Sequence, residues 1–335
     1  MTKIINEYSN EAANVIKEGG LVVFPTETVY GIGASALDEA AVEKVYTAKG
    51  RPSDNPLIVH VSSIDMLKSI VEDIGDIEKS LIDSFWPGPL TIIFKKKDIV
   101  PSIVSGGLDS IGVRMPDNSI TLELIENSLP LVGPSANVSG KPSGTSVSDI
   151  FDELNGKVDI IIDNKNTEFG IESTVVKVDG DTVTILRPGI ITPSDIESIG
   201  VKCELAEHVF SKMEDNTVLS PGTKYRHYSP SSEALLVYSD SEDILEKKII
   251  ELVNENSGKN IVLLSSNNCE IDNVMHLNLG NDNYEIAHNL FSLLRKADSF
   301  NPDLIIIVGV KKEGIGIAIM NRLIRACNYN YIEIN

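Results

Sequence analysis

The chain has 335 residues, of which 42% are hydrophobic and 23% charged, with a formal net charge of -20. That length suits two domains with separate cores, and no apolar run is long enough to span a bilayer. So acidic a balance excludes a broad electrostatic grip on nucleic acid, which needs Lys and Arg to neutralise phosphates. With no cationic-then-apolar leader at the start, a cytoplasmic protein is expected.

In chain order, Asn10 to Lys17 reads as a helix stopped by Gly19 and Gly20. Leu21 to Phe24 is a short apolar strand that breaks at Pro25. A polar turn with Thr26, Thr28, Tyr30, Gly31 and Gly33 follows, then a helix beginning near Asp38 with apolar Val42, Val45 and Tyr46 at helical spacing. Gly50 ends that helix, Lys49 and Arg51 flank it, and a second strand, Leu57 to Val61, carries His60. Glu78 to Phe85 is helical, and WPGPL leads into a strand at Leu90 to Phe94. Lys95, Lys96 and Lys97 then mark a solvated hairpin tip.

Ile111 to Met115 and Leu131 to Ser135 read as strands, the first carrying Arg114. The loop PSANVSGKPSGTS, which groups Ser135, Asn137, Lys141 and Ser143, is long for a mere crossover and ends at a helix near Val147. Val158 to Asp163 is a strand. FGIESTVVKVDGDTVTILRPG is a hairpin turning at Asp179 and Gly180, with Ser173 near its start and Arg187 near its end, and a short helix covers Ser194 to Ile199.

Regular periodicity fades from about Glu207 to Ser232, where SPGTKYRHYSP is too aromatic and cationic for a plain linker and is expected to lie over something as a strap. Beyond it, strands at Leu235 to Tyr238, Ile261 to Leu264 and Leu304 to Val308 alternate with helices at Glu242 to Glu255, Tyr284 to Ala297 and Ile317 to Cys327. This is the pattern of a three-layer α/β domain with a mostly parallel sheet. Domain bounds are therefore set at 1–206, a strap over 207–233, and 234–335. Cys203, Cys269 and Cys327 are widely spaced, so free thiols are expected.

Lys49, Arg51, Arg114, Lys141, Arg187, Lys224 and Arg226 all fall in or beside loops, which on an acidic background implies a local pocket for a small anion. No Walker A, zinc-protease or nucleophile-elbow motif occurs; in SGKPS, Pro142 stands where a phosphate loop needs Ser or Thr. An RNA-binding or ribosome-associated protein docking through a basic concavity is the alternative of a different class.

The run PTETVYG, then KGRP, then NPL resembles the YrdC-type family of threonylcarbamoyl-adenylate synthases, and KYRHYSP with the last hundred or so residues resembles its longer, two-domain branch. The resemblance implies a twisted open α/β sheet as catalytic domain plus a smaller Rossmann-like domain. It implies condensation of ATP, L-threonine and bicarbonate to threonylcarbamoyl-adenylate and pyrophosphate, the first step toward threonylcarbamoyladenosine in tRNA. Mg²⁺ would accompany ATP, a downstream tRNA-modifying transferase complex would take the product, and direct tRNA binding would be weak. Residue by residue, it implies Thr28, His60, Arg114 and Ser173 around threonine. Arg51, Asn55, Ser110, Ser135, Ser143, Arg187 and Tyr225 would surround the nucleotide, with Lys49 and Arg51 as the catalytic cations. Carbamoyl transfer in metallocentre maturation uses a similar domain, but the acylphosphatase and Cys-rich zinc segments of those proteins are missing from this sequence.

Overall fold

The computed structural model describes residues 1–164, 167–212, 227–266, 271 and 274–334. They divide into two compact units. The first holds Met1–Ser139 and Ser143–Val209; the second holds Gly140–Pro142, Phe210–Lys212 and 227–334.

The first unit begins with β1 (Lys3–Ile5), α1 (Asn10–Lys17), β2 (Val22–Phe24), β3 (Gly31–Ser35), α2 (Glu39–Lys49) and β4 (Ile58–His60). It continues through α3 (Ile64–Ile70), α4 (Asp76–Phe85), β5 (Leu90–Lys95), β6 (Ser110–Arg114), α5 (Ser119–Glu126) and β7 (Leu131–Val132). It closes with α6 (Val147–Leu154), β8 (Ile160–Ile162), β9 (Thr174–Asp179), β10 (Thr182–Arg187), α7 (Pro193–Ser198) and β11 (Lys202–Leu205). All eleven strands join one mixed sheet in the order β1-β8-β2-β3-β7-β4-β6-β5-β9-β10-β11.

Local chemistry accounts for the element ends. Asp38 caps α2 by accepting from the amides of Ala40 and Ala41, and Gly50 ends it in the left-handed region at φ 61°, where glycine carries no Cβ penalty. Thr192 and Asp195 form a reciprocal capping box on α7. The core gathers Val23, Ile32, Val42, Val45, Val59, Leu90, Ile92 and Val113, all fully buried or nearly so; each such side chain contributes about 1.5–3 kcal/mol by leaving water.

Gly31 and Gly33, expected in a turn, instead lie inside β3, which pairs antiparallel with β2 so that Phe24 faces Gly31 and Val22 faces Gly33. The Phe24 ring explains the glycines. A Cβ on Gly31 would stand 2.7 Å from its Cζ and one on Gly33 2.8 Å from its Cε1, so β3 needs residues without side chains where the ring lies across it. The strand expected over Leu131 to Ser135 is shorter, with only Leu131 and Val132 in the ladder and Ser135 in an isolated bridge to Gly31.

The second unit contains β12 (Ala234–Ser239), α8 (Glu242–Glu255), β13 (Ile261–Ser265), β14 (Met275–Asn278), α9 (Asn283–Ser299), β15 (Leu304–Val308), α10 (Gly316–Ala326) and β16 (Tyr331–Ile334). Its sheet runs β14-β13-β15-β12-β16, and every pairing is parallel. The flanking strands β14 and β16 are short and alternate exposed with half-buried positions over much of their length, so they lack the continuous apolar run that marks a buried parallel strand. Cys203 and Cys327 are free thiols; Cys269 and most of the expected strap, 213–226, lie outside the described residues.

Gly33→Ala is expected to destabilise the protein by about 1–3 kcal/mol through overpacking against Phe24. Urea unfolding should show the loss, and Phe24→Leu in the same chain should recover part of it.

Candidate active site

The turn between β2 and β3 is shaped by Thr26. Its Oγ1 accepts from the amides of Thr28 (3.1 Å) and Val29 (3.2 Å) and donates to the Val29 carbonyl (2.6 Å), a hydroxyl-closed turn. Because that donation uses the Thr26 proton, the 2.8 Å contact between the two hydroxyls is made by Thr28 donating to Thr26. Thr28 Oγ1 is then an acceptor, and Arg114 Nη1 donates to it at 2.8 Å.

Arg114 ends β6 at 4% exposure. Its Nε donates to the Gly88 carbonyl at 3.1 Å, and its Nη2 lies 2.5 Å from a carboxylate oxygen of Glu27, whose side chain is 3% exposed. This last contact is one of charge rather than an aligned hydrogen bond, and neither Glu27 oxygen receives a hydrogen bond.

Strand directions bring further expected residues to one edge of the sheet. β4 and β6 run parallel with His60 opposite Arg114, β5 runs against β6, β9 runs with β5, and β10 returns against β9. The ends of β4, β6 and β10 and the start of β9 therefore share an edge, which collects His60, Arg114, Arg187 and Ser173. Arg187 donates from Nε (3.1 Å) and Nη2 (3.0 Å) to the Ser173 carbonyl and from Nη2 to its Oγ (3.1 Å), and Thr91 and Ser173 share a hydroxyl contact of 2.8 Å. His60 is buried, edge-on to Phe24 with ring centroids 5.6 Å apart. Burial, reinforced by the Arg114 charge, pushes its pKa down to about 3, so the imidazole is neutral at physiological pH.

A second group lies toward the start of β4. Lys49, the last residue of α2, is 2% exposed, and its Nζ donates to the carbonyls of Ser135 and of Asn137, the latter at 2.8 Å. Burial first, then the neighbouring Arg51, holds the Lys49 amine well below its ordinary range, against the pull of Glu153 and Glu172. Its visible work is thus to hold the 135–137 turn, where Ser135 Oγ donates to Asn137 Oδ1 at 2.6 Å. Half-buried Arg51 donates from Nη2 to the Asn55 (3.3 Å) and Pro56 (2.9 Å) carbonyls and borders an open cavity of about 510 Å³. Asn55 is 1% exposed, yet neither its Oδ1 nor its Nδ2 has a hydrogen-bond partner.

Ser143 is fully buried and donates to Glu172 Oε1 at 2.6 Å. Ser110 is half-buried at the head of β6, opposite Lys95 and away from the Arg114 end. Tyr225, Lys224 and Arg226 lie outside the described residues. Sequence reasoning missed Glu27 and Glu172. In a chain with 49 acidic residues nothing singles out two of them, although Glu27 sits inside the very motif that carried the resemblance. Among the described residues, no three His, Cys, Asp or Glu side chains are grouped to hold a metal ion.

Family comparison separates this arrangement from a chance likeness. The Sua5/yciO/yrdC model, described as telomere recombination, matches residues 14–189. The chain belongs to the Sua5/YciO/YrdC family. A second model, the C-terminal domain of threonylcarbamoyl-AMP synthase, matches residues 191–328, so both units of this family member are covered. It is 43% identical over 96% of its length to the threonylcarbamoyl-AMP synthase of Pyrococcus abyssi, covering 95% of that protein. It is 38% identical over 96% of its length to the Bacillus subtilis enzyme of the same name, covering 94% of it. The crystal structure of P. abyssi Sua5 complexed with L-threonine superposes with a TM-score of 0.94 at 41% identity, covering all of both chains.

The depressed His60 pKa has a stability consequence. Between about pH 6.5, its value in an unfolded chain, and about 3, the unfolded state binds the extra proton, so stability is complete above that window and falls as pH drops through it. Urea unfolding of wild type and His60→Asn across pH 7 to 4 should show the wild type losing more stability on acidification, with the two curves converging toward acid pH.

Proposed function

We propose that the protein is an L-threonylcarbamoyladenylate synthase that condenses L-threonine, bicarbonate and ATP, releases pyrophosphate, and opens the route to threonylcarbamoyladenosine in tRNA. The observation that carries the reading is the near-complete match, across both units, to proteins named for this product. The geometry supports it independently. Arg114 beside Thr28 offers a fork for an amino-acid carboxylate near a threonine-compatible hydroxyl environment. Asn55, a buried amide with four unused hydrogen-bonding positions, is the kind of group retained to meet a ligand.

The chemistry sets what the residues must do. Threonine's ammonium and bicarbonate combine to a carbamate with loss of water and one proton, and a carbamate oxygen then displaces pyrophosphate from the α-phosphorus of ATP. Both partners in the second step are anions, so the protein's share is to align them and offset their repulsion. Arg51 is the cation suited to the phosphates, being half-exposed, while Lys49 fixes the Ser135–Asn137 turn beside it. Neutral His60 next to Arg114 adds no charge to the threonine end. Mg²⁺ would ride on the triphosphate, since it commonly keeps phosphate and water ligands. Tyr225 and the SPGTKYRHYSP strap are assigned to covering the nucleotide, which would keep water from the labile carbamate.

Product would pass to a tRNA-modifying transferase complex in the cytoplasm, and no described helix is long and apolar enough to cross a membrane. The RNA-docking alternative is disfavoured by charge: Lys49, Arg114 and Arg187 are all more than nine-tenths buried and cannot reach phosphates on a docked RNA.

Purified protein with ATP and Mg²⁺ should release pyrophosphate only when both threonine and bicarbonate are supplied, and Arg51→Ala or Lys49→Ala should abolish that release. Release indifferent to threonine in folded protein would overturn the assignment, and tight ATP-independent tRNA binding in a gel shift would favour RNA docking instead. Asn55→Leu should weaken ATP binding by about tenfold or more while leaving the melting temperature unchanged or higher, because it removes buried unpaired groups that cost roughly 1–3 kcal/mol each. Tyr225→Ala should weaken ATP retention with no effect on threonine affinity.

A further inference from the structure

Glu27 is a charged group in a place that disfavours charge. Its side chain is 3% exposed, neither oxygen receives a hydrogen bond, and its one ionic contact among the described residues is the 2.5 Å approach to Arg114 Nη2. A site built only to grip a carboxylate would leave Arg114 its full charge. Here the guanidinium is already neutralised by Glu27 and oriented by Gly88 and Thr28. Of its five N–H groups, the one on Nε and one on Nη1 donate to Gly88 and Thr28, and Nη2, held to Glu27 by charge alone, makes no aligned hydrogen bond, which leaves N–H groups for an incoming ligand.

The ledger of charge then decides which ligands the site accepts. A simple carboxylate approaching Arg114 would place two anions on one guanidinium that is 4% exposed, a like-charge arrangement that burial makes costly. A zwitterionic α-amino acid brings its own ammonium, which answers the Glu27 charge while its carboxylate takes guanidinium N–H groups that no neighbour accepts. Four charges then sum to zero. His60 does not upset the balance, being neutral; Thr28 and the Gly88 carbonyl, which accept from Arg114, carry no charge.

We propose that Glu27 is the specificity-determining residue that makes this site select α-amino acids over the corresponding hydroxy acids. The inference rests on the reading of the site as a threonine site. Glu27 acts by charge on the ligand's amine, as distinct from bracing the fold, and it excludes carboxylates that would occupy Arg114 without being able to form a carbamate.

The test compares L-threonine with 3-hydroxybutyrate, which keeps the carboxylate and hydroxyl and lacks the amine. Binding to the full chain is measured by calorimetry, without and with a non-hydrolysable ATP analogue. Wild type should bind threonine at least about tenfold more tightly than 3-hydroxybutyrate. Glu27→Gln should weaken threonine by about tenfold and tighten 3-hydroxybutyrate by several-fold, so that the preference collapses or reverses. Glu27→Asp, which keeps the charge, should keep the preference. A parallel loss of both ligands in Glu27→Gln would mean that Glu27 only braces Arg114 and would overturn the inference, as would an unchanged preference. Wild type that binds neither ligand would overturn the threonine reading itself, an outcome distinct from the other two. Should Glu27→Gln fail to fold by circular dichroism, Glu27→Asp decides alone, since loss of preference with the charge retained contradicts the proposal.

Discussion

A cation removed from water must find partners, and the first unit is arranged around meeting that demand several times over. Arg114 is met by a carboxylate, a hydroxyl and a carbonyl, Arg187 by the carbonyl and hydroxyl of Ser173, and Lys49 by two carbonyls of the 135–137 turn. For Arg114 and Lys49 the partners come from distant stretches of chain, so these two cations tie together the β2–β3 turn, the β5 approach and the 135–137 turn. Removing charge from water costs several kcal/mol per ion unless such partners are in place. The loops that supply them are therefore held in the geometry the chemistry needs.

The same arrangement separates two kinds of cation. Lys49 and Arg187 are enclosed and spend their donors on backbone carbonyls and the Ser173 hydroxyl, whereas Arg51 is half-exposed. Asn55, beside Arg51, is the converse case, a buried group whose partners the described chain does not supply. Unsatisfied amides of this kind are rare in folded proteins because they lose water without replacement, and they persist where a bound molecule completes them. The second unit follows simpler rules. Its parallel strands carry Leu235, Val237, Leu263 and Ile306 into an apolar core on one face while Leu236, Val262, Ile305 and Ile307 are buried on the other, and Asp298 ties the incoming chain by accepting from the amides of Ser231 and Ser232.

Much of this was legible in sequence. Periodicity located α1, α2, α8 and the three central strands of the second unit, because an apolar stripe at helical spacing or an unbroken apolar run has one inexpensive burial solution. β3 was not legible: its GIGAS sequence reads as a turn until the Phe24 ring that requires its glycines is seen across the ladder. β14 and β16 escaped because flanking strands with an exposed face lack the buried-strand signature. Thr28, Arg114, Ser173 and Arg187 were named from motif likeness, and the sheet places the last three at one edge, with the β2–β3 turn bringing Thr28 onto Arg114.

Sequence alone determined the main helices, the apolar strands and the family, since these follow from local pattern and from motifs a few residues long. Only the tertiary structure decided how the charges are used. Whether a lysine faces a phosphate or a carbonyl, and which of 49 acidic residues becomes the counter-ion of a buried arginine, depends on distances between residues far apart in the chain. Glu27 and Arg114 lie before β3 and at the end of β6, with two further strands and three helices between them, and meet at 2.5 Å. No spacing rule along the chain encodes that meeting; burial, strand register and the low dielectric of the interior do.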